Sequence, residues 1–400
     1  MLLKLRPVPL ALWFCWLASA GAQAQSVSAL VGVDAWDINA KASRASTQRL
    51  LFLADSTPQW TYRNPNAWVR LDSQWDVSEA VSARFKFRGD QSSDWRVDEL
   101  NLDWAISPFL GLSAGVVDYK TSWCRTYDVE STWVRENDPF CTVRTTDQAT
   151  GSAPGLQAYT QWDTRNHQWQ AQVGVYNPLL LNHDRQEFNN QVLLYDSEVI
   201  ENKKVGFSIN AVNMVTSTEW RLGYLYTDQT ANNRSSLAYE RFKKPQQVQL
   251  WYLGVGFDLL PGLRARLTHL NSQLDSTFTD SFSPNFDYNR QYDRESSTAE
   301  LQWNIDGVNR LGLAYSVYSA DTDDFFQRKG SQPARTRLVD GTFKTTSWSA
   351  SWRRDWTRNA YTALQWTQAD TGVDWRVTGR APDLSQASGH GLGMRLGWRY

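Results

Sequence analysis

The chain is 400 residues long and carries 41 basic against 42 acidic residues. This balance produces no large field of one sign, which argues against a nucleic-acid-binding protein and against adhesion to anionic surfaces. The composition also excludes a helical membrane protein. The mean hydropathy is −0.54, and no segment after residue 24 approaches the roughly 20 apolar residues that a membrane helix needs.

The first 24 residues have the pattern of a cleavable signal peptide. Two basic residues precede an apolar stretch from Val8 to Ala20, and residues 22–24 have the small-x-small pattern of a cleavage site. We therefore predict a signal peptide over 1–24 and an exported domain over 25–400. An N-terminal membrane helix, the alternative, would require a longer apolar run.

Export to the periplasm determines the expected state of the cysteines. Cys15 leaves with the signal peptide, so the exported domain keeps Cys124 and Cys141. In an oxidising periplasm an isolated pair with nearby spacing favours a disulfide over two free thiols. We therefore predict a Cys124–Cys141 disulfide. Removal of the signal peptide also removes Lys4 and Arg6, so the exported domain carries 39 basic against 42 acidic residues.

Aromatic residues are unusually frequent, with 21 Trp, 16 Tyr and 16 Phe. A soluble core of this size needs far fewer, whereas membrane β-barrels place such residues in girdles at both bilayer interfaces. No linker rich in Pro, Gly or Ser divides the exported part. The exported part is therefore either one large domain or several domains whose boundaries the composition does not reveal. A secreted β-sandwich or propeller rich in tryptophan remains the alternative from composition alone.

Strict alternation of apolar and polar residues then favours a membrane barrel. In the segment 81–88, apolar residues alternate with Ser82, Arg84, Lys86 and Arg88. Three cations would therefore lie on one face of a strand, and no solvent-free core could hold them. The same period of two recurs to the end of the chain.

Counting such runs predicts sixteen strands. They lie near 29–40, 66–76, 80–90, 96–106, 110–119, 155–163, 168–177, 203–212, 217–227, 246–257, 262–273, 296–306, 309–320, 345–354, 358–370 and 388–400. Tight turns, such as those at 107–109 and 306–308, alternate with long polar loops, such as those at 178–202 and 321–344. Short turns at one rim and long loops at the other are typical of a transmembrane antiparallel up-and-down β-barrel, an all-β fold.

Two segments leave the strand count open. Both faces of 246–257 are apolar, and a bulge there would switch the buried face partway. The strand at 29–40 has a weak pattern. The count could therefore be fourteen or eighteen.

Residues that suggest catalysis or metal binding have simpler interpretations. The segment 111–115 matches the G-x-S-x-G pattern of serine hydrolases, but a strand pattern continues through it where an elbow and a helix are required. The four histidines are scattered without metal-ligand spacing. We predict no catalytic residues, no metal and no cofactor.

The last predicted strand carries a resemblance to a known family. Leu392, Met394, Leu396, Trp398 and Tyr400 alternate with small or basic residues. This segment resembles the C-terminal strand of Gram-negative porins, whose terminal aromatic residue is read by the barrel-assembly machinery. The resemblance implies an outer-membrane location among lipid and lipopolysaccharide and a water-filled lumen for small hydrophilic solutes. It leaves open whether the barrel forms a homotrimer.

Porins of this kind also resemble one another in a third external loop that folds into the lumen. Here the third long loop lies at 120–154, dense in charged and aromatic residues. Closing about 18 residues by the disulfide would stabilise the loop by about 3 kcal/mol in the chain-entropy model. As residues of a constriction loop we predict Arg125, Asp128, Glu130, Arg135, Glu136 and Asp138.

The strand phase also predicts which charges line the wall. The pore-lining candidates are Arg70, Arg84, Lys86, Arg88, Glu99, Asp103, Arg264, Arg266 and Arg395. The polar faces as a whole carry more basic than acidic residues, which predicts a modest anion preference and a field between strands 66–90 and the loop carboxylates. The preferred solute does not follow from the sequence.

These patterns together predict an outer-membrane channel rather than an enzyme. Two alternatives stay open at this stage. One is an outer-membrane barrel enzyme, a hydrolase or a lipid-modifying protein, which would need a Ser/His or Asp/His group near the rim. The other is a secreted β-rich binding protein, which would be soluble without detergent.

Overall fold

The chain forms a closed barrel of sixteen antiparallel strands, as a computed structural model shows. The structure describes residues 23–42, 66–90, 96–120, 123, 132–134, 150–176, 195–235, 241–279, 286–328, 336–377 and 383–399. Each strand pairs with its neighbours in the chain, and the first strand pairs with the last. The prediction of an all-β up-and-down barrel is confirmed, and the count is sixteen.

The strands follow one another in chain order. They are β1 Gln23–Ala42, β2 Asn66–Asp76, β3 Val81–Asp90, β4 Arg96–Ser107, β5 Leu110–Lys120, β6 Thr150–Asp163, β7 His167–Tyr176, β8 Tyr195–Asn213, β9 Glu219–Ser235, β10 Arg241–Leu260, β11 Leu263–Thr279, β12 Phe286–Asn304, β13 Asn309–Arg328, β14 Thr336–Asp355, β15 Ala360–Val377 and β16 Asp383–Arg399. The third loop therefore spans 121–149, shorter than the predicted 120–154, because β6 begins at Thr150.

The strands differ in length around the barrel. Strands β2 to β5 have 10 to 12 residues, whereas β8 to β16 have 17 to 20. About 9 to 11 tilted residues suffice to cross a bilayer. The wall of β8 to β16 therefore extends beyond the bilayer, on the rim away from the short turns.

The short turns are stabilised by their own side chains. Between β12 and β13, the carboxylate of Asp306 accepts hydrogen bonds from the backbone N–H groups of Val308 and Asn309. Between β8 and β9, the side-chain oxygen of Asn213 accepts hydrogen bonds from the N–H groups of Val215 and Thr216. Asx-type turns of this kind end one strand and start the next without a long connection.

The outward face of the barrel is an apolar belt. On β4, Leu100, Leu102 and Trp104 are exposed, while their alternating neighbours Glu99 and Asp103 are buried. The same division holds on β16, where Leu392 to Trp398 alternate with buried small and basic residues. Such a belt fits the hydrocarbon of a bilayer. Among the described residues, no helix has the length and hydropathy that a membrane crossing demands.

The two uncertain segments are ordinary strands. β1 pairs with β2 on one side and with β16 on the other, which closes the barrel. Across 246–257, β10 pairs with β11 without interruption, so the suggested bulge is wrong; the register shifts only between Asp258 and Leu260. Leu250 and Tyr252 face inward and are buried, whereas Trp251 and Leu253 face outward and are exposed. The pattern was ambiguous because both faces are apolar, not because the strand changes face.

Candidate functional site

Part of the third loop lies inside the barrel. The side chain of Trp133 contacts Glu300 on β12 and lies beside Gly312 on β13, while its backbone contacts Arg395 on β16. Because β12 and β16 are separated by three strands around the wall, one residue can contact both only from the lumen. Trp133 is 2% exposed and Val134 is 3% exposed. The described part of the third loop therefore lies inside the barrel, as the resemblance to porins implied.

The first anchor of this loop is a set of hydrogen bonds to Trp133 and Val134. The guanidinium group of Arg395 donates to the backbone carbonyl of Trp133 at 3.3 Å and to that of Val134 at 2.6 Å. The indole N–H of Trp133 donates to the carboxylate of Glu300. Buried hydrogen bonds from charged donors are the stronger class, so Arg395 fixes the position of the loop backbone.

The second anchor is Trp123. Its ring packs on β10, where a Cβ at Gly254 would lie 2.6 Å from it, so only glycine leaves room. The Tyr252 ring meets it edge to face at 6.3 Å between centroids. The guanidinium carbons of Arg266 and Arg221 lie 5.0 and 5.9 Å from its centroid. Trp123 therefore combines aromatic and cation–π contacts on the inner wall of β9 to β11.

The inner wall near Trp123 is an apolar layer rather than a polar pore surface. Inward-facing Tyr176, Leu225, Leu250, Tyr252 and Leu270 are each no more than 1% exposed. Together with Trp123 they belong to one packed cluster. This layer narrows the lumen on the side of β7 to β11 and gives the loop an apolar surface to pack against.

Several inward-facing cations are paired with carboxylates on the same strand or on a nearby one. Lys86 of β3 bonds Glu99 of β4 at 2.6 Å, and Arg84 of β3 bonds Asp103 of β4 at 3.0 Å. On β11, the Arg266 guanidinium lies 3.3 Å from the Glu300 carboxylate. Four further pairs lie close to the turns, namely Arg264 with Glu219, Arg264 with Asp258, Arg310 with Asp355 and, within one strand, Arg353 with Asp355.

The charges are distributed unevenly among three sectors of the inner wall. The count includes each described charged side chain that the strand register turns toward the lumen. The β2–β4 sector is nearly balanced, with Arg70, Arg84 and Lys86 against Asp72, Asp76, Glu99 and Asp103. The β5–β7 sector has one charged residue, Asp163, at the end of β6. The β8–β16 sector carries the excess, with Lys204, Arg221, Arg264, Arg266, Arg294, Arg310, Arg353, Arg395 and Arg399 against Glu219, Asp258, Glu300 and Asp355.

The sequence-predicted wall residues whose side chains the structure describes lie on this inner face but have different surroundings. Arg84 is open to the lumen, with 46% of its side chain exposed, whereas Arg395 is buried under the loop. The backbone of Arg88 pairs with that of Arg70, and its side chain lies outside the described part. The predicted loop residues also lie outside the described residues: Cys124, Arg125, Asp128, Glu130, Arg135, Glu136, Asp138 and Cys141.

Sequence reasoning missed the residues that hold the loop and those that balance the arginines. Trp123 and Trp133 had no periodic signal because they lie in a loop. Glu219 and Asp355 stand at strand ends, where alternation gives no phase. The G-x-S-x-G segment is an unbroken part of β5, and the Ser113 hydroxyl donates to the Asp103 carboxylate. Within the described ranges, no three His, Cys, Asp or Glu side chains form a metal-binding group.

Solved structures similar to this barrel are outer-membrane proteins. The trimer form of OmpT from Vibrio cholerae has a TM-score of 0.55 and 11% identity, covering 94% of this chain and 99% of that chain. The outer-membrane channel DcaP of Acinetobacter baumannii has a TM-score of 0.52 and 10% identity, covering 95% of this chain and 98% of that chain. No protein-family model and no curated protein matches the sequence. At such identities the shared property is the fold, a barrel of the Gram-negative outer membrane.

Proposed function

We propose that this barrel is a channel for the diffusion of small hydrophilic solutes and ions through the outer membrane. The observation that carries the proposal is the division of the wall. The outward face is apolar, whereas the inward face holds charged side chains that water reaches, above all Arg84. A closed wall satisfies its strand hydrogen bonds internally and leaves a lumen for water.

The described loop residues lie against one side of this lumen, and we propose that the open path follows the other side. The loop residues Trp123 and Trp133 pack against β9 to β13 and β16. The inner wall of β2 and β3 keeps accessible polar groups, with 28% of the Arg70 side chain and 37% of the Asp72 side chain exposed. We therefore place the conducting path along β2 to β7, beside the anchored loop.

The channel should prefer anions modestly. Across the counted inner wall, twelve basic side chains face nine acidic ones, and the excess lies in the β8–β16 sector. The field expected from strands 66–90 has little support, because Arg84 and Lys86 are each paired. The preference should therefore be weak and should fade at high salt, where screening shortens the field to about 3 Å at 1 M.

Reconstitution in planar bilayers tests this function. The barrel should give stable conductance steps in KCl, and a salt gradient should give a reversal potential on the anion side that shrinks as total salt rises. Absence of conductance from a protein that runs on gels as a folded, heat-modifiable barrel would contradict the channel. Conductance with clear cation preference would contradict only the selectivity.

Processing and assembly are separate proposals. We infer that cleavage removes residues 1–24, after which β1 would start at Gln25, two residues later than its present start at Gln23. We also propose that the Cys124–Cys141 disulfide forms and that the barrel assembles as a homotrimer. The similar barrel of OmpT was solved in a trimer form. Intact mass with and without reductant tests the first two, and mass photometry in detergent tests the third.

A further inference from the structure

Among the side chains that the structure describes, Tyr159 is the one inward-facing aromatic ring that lies over a glycine and is still accessible to water. Six aromatic rings inside the barrel each lie over a glycine of the wall. The pairs are Trp68 with Gly32, Trp123 with Gly254, Trp133 with Gly312, Tyr176 with Gly174, Tyr361 with Gly397 and Tyr159 with Gly111. The first five rings are buried, with at most 4% exposed. Tyr159 is half-buried.

The position of the Tyr159 ring is fixed by the space over Gly111. The two residues are directly paired between β5 and β6, and a Cβ at Gly111 would lie 2.7 Å from the ring carbon Cε2. The ring therefore occupies the space that any side chain at 111 would fill. One side of it lies along the wall, and the rest is accessible from the lumen.

Uncharged hydrogen-bonding groups lie on one side of this ring. Strand register places Gln172 and Ser208 in the row of Tyr159, and Gln161, Gln170 and Asn210 in the next row toward the turns. Gln161 and Gln170 are exposed, and their amides make no hydrogen bond to the described part of the chain. Each therefore offers a donor and an acceptor to the lumen.

A buried network holds the neighbouring amides in place. The Tyr176 hydroxyl donates to the side-chain Oε1 of Gln157 at 3.3 Å, and the side-chain Nε2 of Gln157 donates to the Oε1 of Gln172 at 3.1 Å. On the other side of Tyr159, Ser113 and Arg84 both bind the Asp103 carboxylate. The ring thus lies between a fixed amide row and a neutralised ion pair.

We propose that Tyr159, Gln161 and Gln170 form a binding site for a neutral, hydroxyl-rich solute of the size of a mono- or disaccharide. The inference rests on the proposed channel function and names a solute class for it. A sugar ring has an apolar C–H face that packs on an aromatic ring and hydroxyls that both donate and accept. No described side chain on the inward face of β5 to β7 is a cation, and Arg84 of β3 is already bonded to Asp103.

Block of the ion current by sucrose tests this site in planar bilayers. Sucrose should reduce the wild-type current in a saturable way. Tyr159→Ala should weaken the block by about tenfold, and Tyr159→Phe by less than about threefold, because the ring supplies the packing. Gln170→Leu should weaken it by about threefold to tenfold, the loss of one hydrogen bond. The control Thr160→Ala, on the outward face beside Tyr159, should leave the block unchanged.

Several outcomes would overturn the site. These are no sucrose block in a conducting wild-type channel, equal block in Tyr159→Ala, or a stronger Tyr159-dependent block by succinate than by sucrose. A wild-type barrel without KCl conductance would contradict the channel instead. The site is then decided by calorimetric titration of sucrose into the detergent-solubilised full chain, where heat that disappears in Tyr159→Ala supports it and absence of heat overturns it.

Discussion

The two sides of the inner wall use the same residue type for different purposes. On β3, Arg84 leaves 46% of its side chain exposed and bonds a carboxylate of the next strand. On β14 and β16, Arg353 and Arg395 are almost completely buried, and Arg395 donates to the backbone of the loop. An inward arginine is therefore open to the lumen on β3, whereas Arg395 on β16 anchors the described part of the loop. What decides the difference is what the rest of the chain places over it.

The largest effect should follow from removing Trp133. Trp133→Ala deletes a buried side chain and its hydrogen bond to Glu300, and truncating a buried Trp costs about 3–5 kcal/mol. The loop should leave the β12–β16 wall, so single-channel conductance and current noise should rise and the loop should become cleavable by protease. Trp348→Ala, on the lipid-facing side with 51% exposure, is the matched control. Equal behaviour of the two variants would show that Trp133 does not hold the loop.

Arg395→Met should have the next largest effect, since it leaves the two carbonyls of Trp133 and Val134 without their charged donor. Hydrogen bonds to charged groups contribute about 1.5–3 kcal/mol. Current noise should rise as in Trp133→Ala but less. Arg399→Met is the control, because Arg399 lies on the same face of β16 and bonds the backbone of Arg358 at the exposed rim. Noise from Arg399→Met equal to that from Arg395→Met would place the effect in β16 as a whole.

Arg84→Ala should change selectivity and hardly change stability. An ion pair with one half-exposed partner contributes about 0–1 kcal/mol, but its removal leaves the Asp103 carboxylate facing the lumen. Reversal potentials in a salt gradient should shift toward cations. Asp103→Asn should shift them toward anions. If Arg395→Met shifts the potential as much as Arg84→Ala does, the division between open and anchored sides is wrong.

The smallest effect concerns the turn below the anchored side. Hydrogen bonds from the Asn309 backbone, the Asn309 side chain and the Val308 backbone hold the pKa of Asp306 below its usual value. A lowered folded pKa contributes stability that is complete above the unfolded pKa of about 3.9 and is lost as pH falls through the folded value. Between pH 6 and pH 3 the temperature of heat-induced unfolding should therefore fall less in Asp306→Asn than in the wild type. An identical loss in both would exclude this turn.

The strands were predictable because successive side chains of a strand point to opposite faces of the wall. One face contacts lipid and the other contacts water, so apolar and polar residues alternate. Leu392 to Trp398 show this pattern, and the structure turns those side chains outward. At β10 the alternation did not show which face points inward, because Leu250 and Tyr252 make the inner face apolar as well. It also could not separate Arg84 from Arg395. Periodicity reports the face of a strand, and only tertiary contacts report what covers that face.

The pairing of β1 with β16 has a consequence for how the protein reaches its folded state. Their register joins Leu30 to Arg399 and Ala42 to Ala387, so the closing ladder links segments more than 300 residues apart in sequence. Until β16 is in place, β1 and β15 each present a row of unpaired N–H and C=O groups, which bind other strands readily. The exported chain should therefore be most vulnerable to aggregation before this last ladder forms. A factor that shields these two open edges would therefore protect the chain until the barrel closes.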